Sequence, residues 1–237
     1  MMVKNLSIIN LKKLPILEQL RLEEALLRVG EQNVCLINRG APPAVVLGIS
    51  AKTQELINIE QAKNQNIPLI KRFSGGGTVY IDENTLFVTF IWEKKSLEIP
   101  FFPHAMMEWS EKLYRPLFGE ASFALQENDY VIGEKKVGGN AQYIQKERFL
   151  HHTSFLWEFD PNRMNVLKVP PKQPKYRQKR SHKDFLMGIS SYFRDPEAFF
   201  EALMNRLSQL FTMETLSYEK GLELTYLPHR KSTEKLE

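Results

Sequence analysis

The sequence predicts an α/β (α+β) fold: a mixed, largely antiparallel sheet with flanking helices. Three observations carry this. Short strand-like apolar runs alternate with amphipathic helical segments early in the chain. "SFALQ", "DYVIG", "KKVGGNAQYI" and "RFLHHTSFLWEF" then follow one another and alternate like antiparallel strands joined by tight turns. A basic stretch with three prolines, residues 168–183, separates these strands from a last helix.

"PILEQLRLEEALLRV" has Leu17, Leu20, Leu22, Ala25, Leu26 and Val29 at helical spacing, with Glu18, Arg21, Glu24 and Arg28 on the other side. Pro15 suits its first turn and Gly30 its stop. "NVCLIN" and "AVVLGI" read as buried strands around a turn at Gly40, Pro42 and Pro43. "NIEQAKNQN" is a short helix, and "IPLIKRF", "GTVYI" and "LFVTFIW" are strands. Met106, Trp109, Leu113 and Leu117 mark a further helix, and Asp195-Pro196 caps the last one. A polar N-terminal arm and a small C-terminal helical extension, residues 184–237, are expected to pack on a catalytic domain spanning 1–237.

The 237 residues include 32 Lys and Arg against 28 Asp and Glu, a net charge of +4 that admits an anionic ligand without demanding nucleic acid. The single cysteine, Cys35, excludes an intramolecular disulfide and fits a reducing space. No window approaches the roughly 18 apolar residues of a membrane span, and the N-terminus lacks a secretory pattern. The expectation is a cytoplasmic protein that engages neither membrane nor nucleic acid.

Chemistry concentrates in two glycine-rich stretches. "KRFSGGGTVY" puts Gly75, Gly76 and Gly77 beside Arg72. A hairpin turn explains one or two glycines. Three in a row also let backbone N–H groups approach an anion, with a guanidinium alongside for bidentate pairing. The stretch lacks the Gly-Lys-Ser/Thr ending of a nucleotide phosphate loop. "ENDYVIGEKKVGGNAQ" places Lys136 before a second glycine pair, where an ammonium can meet developing negative charge. His151 and His152 alternate across a strand, and no Cys or His cluster supplies metal-ligand spacing, so no metal site is expected in the protein itself. In the basic loop, Arg177 and Arg180 are phosphate candidates through their fork geometry.

At these motifs the sequence resembles the lipoate–protein ligase A family. "KRFSGGGTVYID" is similar to its Arg-Arg-x-Ser-Gly-Gly-Gly-Ala-Val-Tyr-His-Asp signature, and "NDYVIGEKKVGGNAQ" to its Asn-Asp…Gly-x-Lys signature. "HHTSFLWEFD" and "PPAVVLG" resemble two further family stretches, and all four occur in family order. The resemblance implies the fold of the biotin and lipoate ligase catalytic core, in a short form without a separate C-terminal domain. It implies ATP-dependent activation of lipoate to lipoyl-adenylate, with Mg²⁺ accompanying the nucleotide. Transfer to a lysine of a lipoyl domain follows, from a 2-oxoacid dehydrogenase or the glycine cleavage H protein, and an accessory subunit is among the implied partners.

By match, Lys136 is catalytic. The ligands are placed among Arg72, Ser74, Gly75, Gly76, Gly77, Thr78, Val79, Tyr80, Asn84, Asp129, Gly139 and Asn140, with Val79, Tyr80 and His151 lining the fatty-chain slot. The chain departs from the pattern at Ile81, at Asn84-Thr85 and at Thr153-Ser154. The rival readings are an octanoyl transferase between carrier proteins using Cys35, a biotin ligase, and a non-catalytic acyl-binding module.

Overall fold

In the computed structural model, which describes residues 4–236, the expected N-terminal arm is a strand, β1 (Asn5–Lys12). It pairs in parallel with β2 (Val34–Arg39). Leu6 packs into one core cluster, Ile9 and Leu11 into another. Leu6 and Ser7 are both buried, so the first half of the strand loses the alternation that would mark it, while Ile9 to Lys12 keeps it. Between β1 and β2 runs α1 (Ile16–Arg28), whose Leu20, Leu22, Ala25 and Leu26 are buried as the spacing predicts, while Leu17 and Val29 are half-buried and Ile16 and Leu27, outside the predicted stripe, are buried as well. Pro15 stands at the N-cap position, one residue before the first turn.

Glu24, which the spacing places on the charged side of α1 with Glu18 and Arg21, is instead buried, as is Glu23. Glu24 accepts the backbone N–H groups of Ser232 and Thr233, and so pins the C-terminal segment.

Then follow β3 (Ala44–Leu47), the short helices α2 (Thr53–Leu56) and α3 (Ile59–Asn64), β4 (Leu69–Lys71), β5 (Gly75–Gly76), β6 (Val79–Ile81) and β7 (Thr85–Glu93). After α4 (Pro103–Tyr114) come β8 (Phe123–Gln126), β9 (Asp129–Ile132), β10 (Lys135–Ile144) and β11 (Arg148–Leu156). The chain ends with α5 (His182–Phe185), α6 (Pro196–Ser208), β12 (Thr212–Thr215), α7 (Tyr218–Glu223) and β13 (Glu234–Leu236). Asp195 caps α6 through Ala198 N–H at 2.8 Å.

Among the described residues the strands form two sheets. The larger runs β12-β1-β2-β7-β11-β10-β9-β8, with β5 added on β10; the smaller runs β13-β4-β3-β6. Pairing is antiparallel apart from β1 with β2 and β12 and β3 with β4, so the sheet is mixed and mostly antiparallel as predicted. Leu22, Leu26 and Leu27 of α1 pack on one face of the large sheet. Met106 and Tyr114 of α4 and Phe199 and Leu203 of α6 pack within the other core cluster. The C-terminal extension is not helical alone: β12 and β13 complete an edge of each sheet.

Candidate active site

The three glycines are not the turn of a hairpin. β4 and β6, which flank them in sequence, lie on opposite sides of β3, and Gly75 and Gly76 instead pair with Gln142 and Ala141 of β10. The glycine segment thus stitches the small sheet to the large one. Gly76 has φ +120°, and a Cβ there would stand 2.7 Å from the Asn140 carbonyl oxygen and 2.7 Å from an Arg72 nitrogen. Close backbone approach, rather than turn geometry alone, demands glycine.

Arg72 is only 4% exposed. Its guanidinium donates to the carbonyl oxygens of Gly77 (2.7 Å), Gly75 (3.3 Å) and Val46 (3.5 Å). Burial lowers its pKa to about 10 against the opposing pull of the Glu23 carboxylate, so it stays charged at neutral pH. The donors that the sequence assigns to a ligand anion therefore clasp the glycine loop itself. Ser74 is buried beside it, its carbonyl accepting Ile49 N–H.

Lys136 sits where the β9–β10 register shifts, between Lys136 and Gly138. Such a bulge re-aims a side chain. Its ammonium lies 2.7 Å from Asp129 Oδ1. A Cβ on Gly139 would fall 3.3 Å from the Lys136 Nζ, whereas one on Gly138 would press on the Phe155 ring at 3.0 Å. One glycine of the second pair makes room for the ammonium and the other for the core. Asn140 braces the site, donating to the Asn128 carbonyl and accepting from the Thr153 hydroxyl.

A cavity of about 860 Å³ brings these groups together. Lys136, Asp129, Gly139, Asn140, Arg72, Gly75, Gly76, Gly77, Thr78, Val79 and Arg177 all line it. Ile16, Leu20, Val46, Ile81 and Phe87, which pack as one cluster, give the cavity an apolar wall, and Met107 lines it too. Ile81, a departure from the family pattern, belongs to that wall. The basic loop forms another wall through Lys168, Lys172 and Arg177. A smaller cavity of about 90 Å³ shares Thr78, Val79, Lys136, Gly139 and Arg177, and there Tyr80 and Met164 add to the lining.

Four of the residues assigned from sequence line neither cavity: Ser74, Asn84, His151 and Arg180. Asn84 sits in the turn after β6, its N–H on Asp82 and its carbonyl taking Trp157 N–H. Arg180 is occupied by the carbonyls of Tyr176, Glu134 and Arg177. His151 points away because the strand alternates, and His152 faces the cavity in its place. The His152 Nδ1 lies 3.0 Å from the buried Glu23 carboxylate, which also accepts from Thr89 and Gln19. The sequence reasoning missed His152, Glu23 and His182. The α1 periodicity contained Leu20, but not the fact that it borders a cavity.

His151 is fully buried among Ser110 (2.9 Å), Tyr130 (3.2 Å) and Gln142 (2.9 Å). Burial, with His152 adding a smaller push, lowers its pKa to about 3. Folded, it is neutral down to about pH 3, whereas the unfolded chain protonates it below about 6.5. Between these values the unfolded state binds the extra proton, so stability falls as pH drops. The loss at this residue is expected to be about 1.4 kcal/mol per pH unit below 6.5. Urea unfolding at pH 7 and pH 5 checks it, and a His151→Gln variant should lose part of the difference.

Among the described residues no group of three or more His, Cys, Asp or Glu could hold a metal ion, and no helix is long and apolar enough to cross a membrane.

A mixed sheet that sets a clasped glycine loop against a lysine in one cavity is an architecture shared with known ligase catalytic domains, and comparison with known proteins gives the family. The sequence model described as the lipoyl protein ligase A/B catalytic domain matches residues 15–212, so the chain belongs to that family. Among curated relatives it is 30% identical to the "inactive lipoate–protein ligase 2" of Plasmodium falciparum, over 90% of this chain and 71% of that protein. It is 28% identical to lipoate–protein ligase 1 of Staphylococcus aureus, over 68% of this chain and 48% of that protein. The chain thus spans about half the length of the second relative.

The fold is shared with solved structures, among them two lipoate protein ligases. One is a bipartite lipoate protein ligase of Thermoplasma acidophilum, described with its E2 lipoyl domain (TM-score 0.76, 20% identity, 94% of this chain and 91% of that one). The other is a lipoate–protein ligase A bound with ATP (TM-score 0.72, 22% identity, 94% and 93%).

Proposed function

We propose that the chain, acting as one catalytic domain, is an ATP-dependent lipoate–protein ligase. The observation that carries this is one cavity that holds Lys136 with its Asp129 partner and also has an apolar wall. An apolar wall suits the lipoate chain, and a cation in the same cavity suits the carboxylate and phosphate that react there. In the first half-reaction a carboxylate oxygen of lipoate attacks the α-phosphorus of ATP, and pyrophosphate leaves. In the second, the neutral amine of an acceptor lysine attacks the acyl carbon, AMP leaves and the amine sheds a proton. Charge grows on oxygens beside Lys136 in both.

Arg177, whose Nη2 is buried without a protein partner, has capacity left for phosphate, as does the unpartnered Nε of Arg72 in the same cavity wall. Its pKa is lowered by burial, and the charged form still dominates at neutral pH. Mg²⁺ would arrive on the triphosphate, the described residues offering no cluster to hold it.

Partners follow from the same reading. The Thermoplasma relative is described with an E2 lipoyl domain and as bipartite, so a lipoyl domain or H protein is the acceptor and an accessory subunit is a candidate for the adenylation step. The deciding experiment mixes the protein, ATP, Mg²⁺, lipoate and a lipoyl domain, and weighs the domain by mass spectrometry. The expected mass gain is that of a lipoyl group, dependent on ATP. No gain, with or without a second subunit, overturns the reading.

The name of the Plasmodium relative favours a second reading, a non-catalytic acyl-binding module. Retention of Lys136 with its Asp129 partner weighs against it. The octanoyl-transferase reading needs Cys35 as nucleophile. That thiol is fully buried in β2, and burial pushes its pKa far up, away from the reactive thiolate. Cys35→Ser is expected to keep ligation, and no acyl thioester should form on the wild type. Loss of activity together with a trapped thioester on Cys35 would reverse the assignment.

A further inference from the structure

The basic loop is tied to the lysine through a residue that the ligase reading leaves without a role. Tyr176 Oη donates to Asp129 Oδ2 at 2.9 Å, while Lys136 holds Oδ1 at 2.7 Å. The two carboxylate oxygens are thus divided between an ammonium and a phenol. The Tyr176 N–H also donates to Glu127 at 3.1 Å, and its ring packs on Phe185 with centroids 5.1 Å apart. Arg180 braces the Tyr176 carbonyl. From the other side, Met187 N–H donates to the Lys136 carbonyl at 2.9 Å. Burial and the neighbouring carboxylate raise the Tyr176 pKa, which keeps the phenol a donor.

We propose that Tyr176 is a positioning residue that acts through Asp129: its hydroxyl occupies one carboxylate oxygen, holds the ammonium of Lys136 on the other, and docks the 168–183 loop over the cavity. An aspartate with both oxygens free holds an ammonium in either of two arrangements. With Oδ2 taken, one arrangement remains, and the other N–H donors of Lys136 are left for a ligand. The donated hydrogen bond also withdraws charge from the carboxylate, so the ammonium is less neutralised where the acyl phosphate forms. The kinetic half of this proposal rests on the ligase reading; the docking half does not.

Tyr176→Phe keeps the ring on Phe185 and removes only the hydroxyl. Trypsin acting on the free protein reads the docking directly, at Lys172, Lys175 and Lys179. Cleavage there is expected to accelerate roughly tenfold, since hydrogen bonds to charged groups are among the stronger ones. In lipoyl transfer, kcat should fall by roughly tenfold while KM for lipoate is unchanged, because the apolar slot is untouched. Adding Tyr176→Phe to Asp129→Ala should change neither readout further, as the phenol then has no carboxylate to act through.

Wild-type trypsin sensitivity in Tyr176→Phe, or effects that simply add in the double variant, would overturn the proposal. A wild type that forms no adenylate would remove the ligase reading, and the trypsin comparison would still decide for or against Tyr176.

Discussion

Replacing Lys136 with alanine is expected to reduce ligation by roughly 10²- to 10³-fold or more, the scale on which a single charge-stabilising group acts in a transition state. The fold should survive. Lys136 lies at a cavity wall with its side chain 21% exposed, and Asp129 keeps its hydrogen bond from Tyr176. The loss should fall on kcat rather than on lipoate affinity, since the apolar cluster of Ile16, Leu20, Val46, Ile81 and Phe87 in the cavity wall stays intact in this variant. Acceptor mass spectrometry over a time course reads the rate, and circular dichroism checks the fold. Near-normal turnover in a folded Lys136→Ala protein would remove the mechanism and revive the binding-module reading.

The second large effect is expected at Arg72. Its guanidinium neutralises three carbonyl oxygens at once, those of Val46, Gly75 and Gly77, in a buried position. Arg72→Ala strands these acceptors and leaves a void, and should destabilise the protein by about 3 kcal/mol. It should also let the glycine loop part from β10 and so abolish ligation. Arg72→Lys should rescue little, because one ammonium lacks the planar fork that reaches Val46 through one Nη and Gly75 and Gly77 through the other. Urea midpoints and transfer rates measured together check this. A Lys variant as stable and active as the wild type would show that the clasp matters only as charge.

The parts of the fold that were legible in the sequence are those set by local chemistry. The α1 stripe and the Asp195-Pro196 cap depend on neighbours three or four residues away, and both stand in the structure. So do the β8-to-β11 strands, whose turns are short. The illegible parts depend on distant pairing. β1 hides because its first half is covered on both faces, at Leu6 and Ser7, and β12 because as an edge strand it is mostly exposed. Nothing near Gly75 reveals that β3 separates β4 from β6.

At the site, residue types were readable and orientations were not. "HHT" says that one histidine faces each way, but the register of β11 against β7 and β10 decides which. Arginine beside three glycines reads as an anion site. That its donors turn inward to the loop carbonyls depends on Val46, 26 residues earlier. Tyr176 carries no signal at all until the loop is seen lying against Asp129.

The strand pairings of β12 and β13 govern when the molecule can first become functional as it leaves the ribosome. β12 joins β1 across more than two hundred residues, and β13 covers β4, the strand that runs straight into Arg72. Contacts of such sequence separation form late, after most of the chain is available. Until then β4 keeps an uncovered edge, and the buried Glu24 carboxylate lacks the N–H groups of Ser232 and Thr233. The glycine loop therefore gains its final support only once the last strands are synthesised, so nascent chains stalled short of them should remain binding-incompetent and prone to edge-to-edge association.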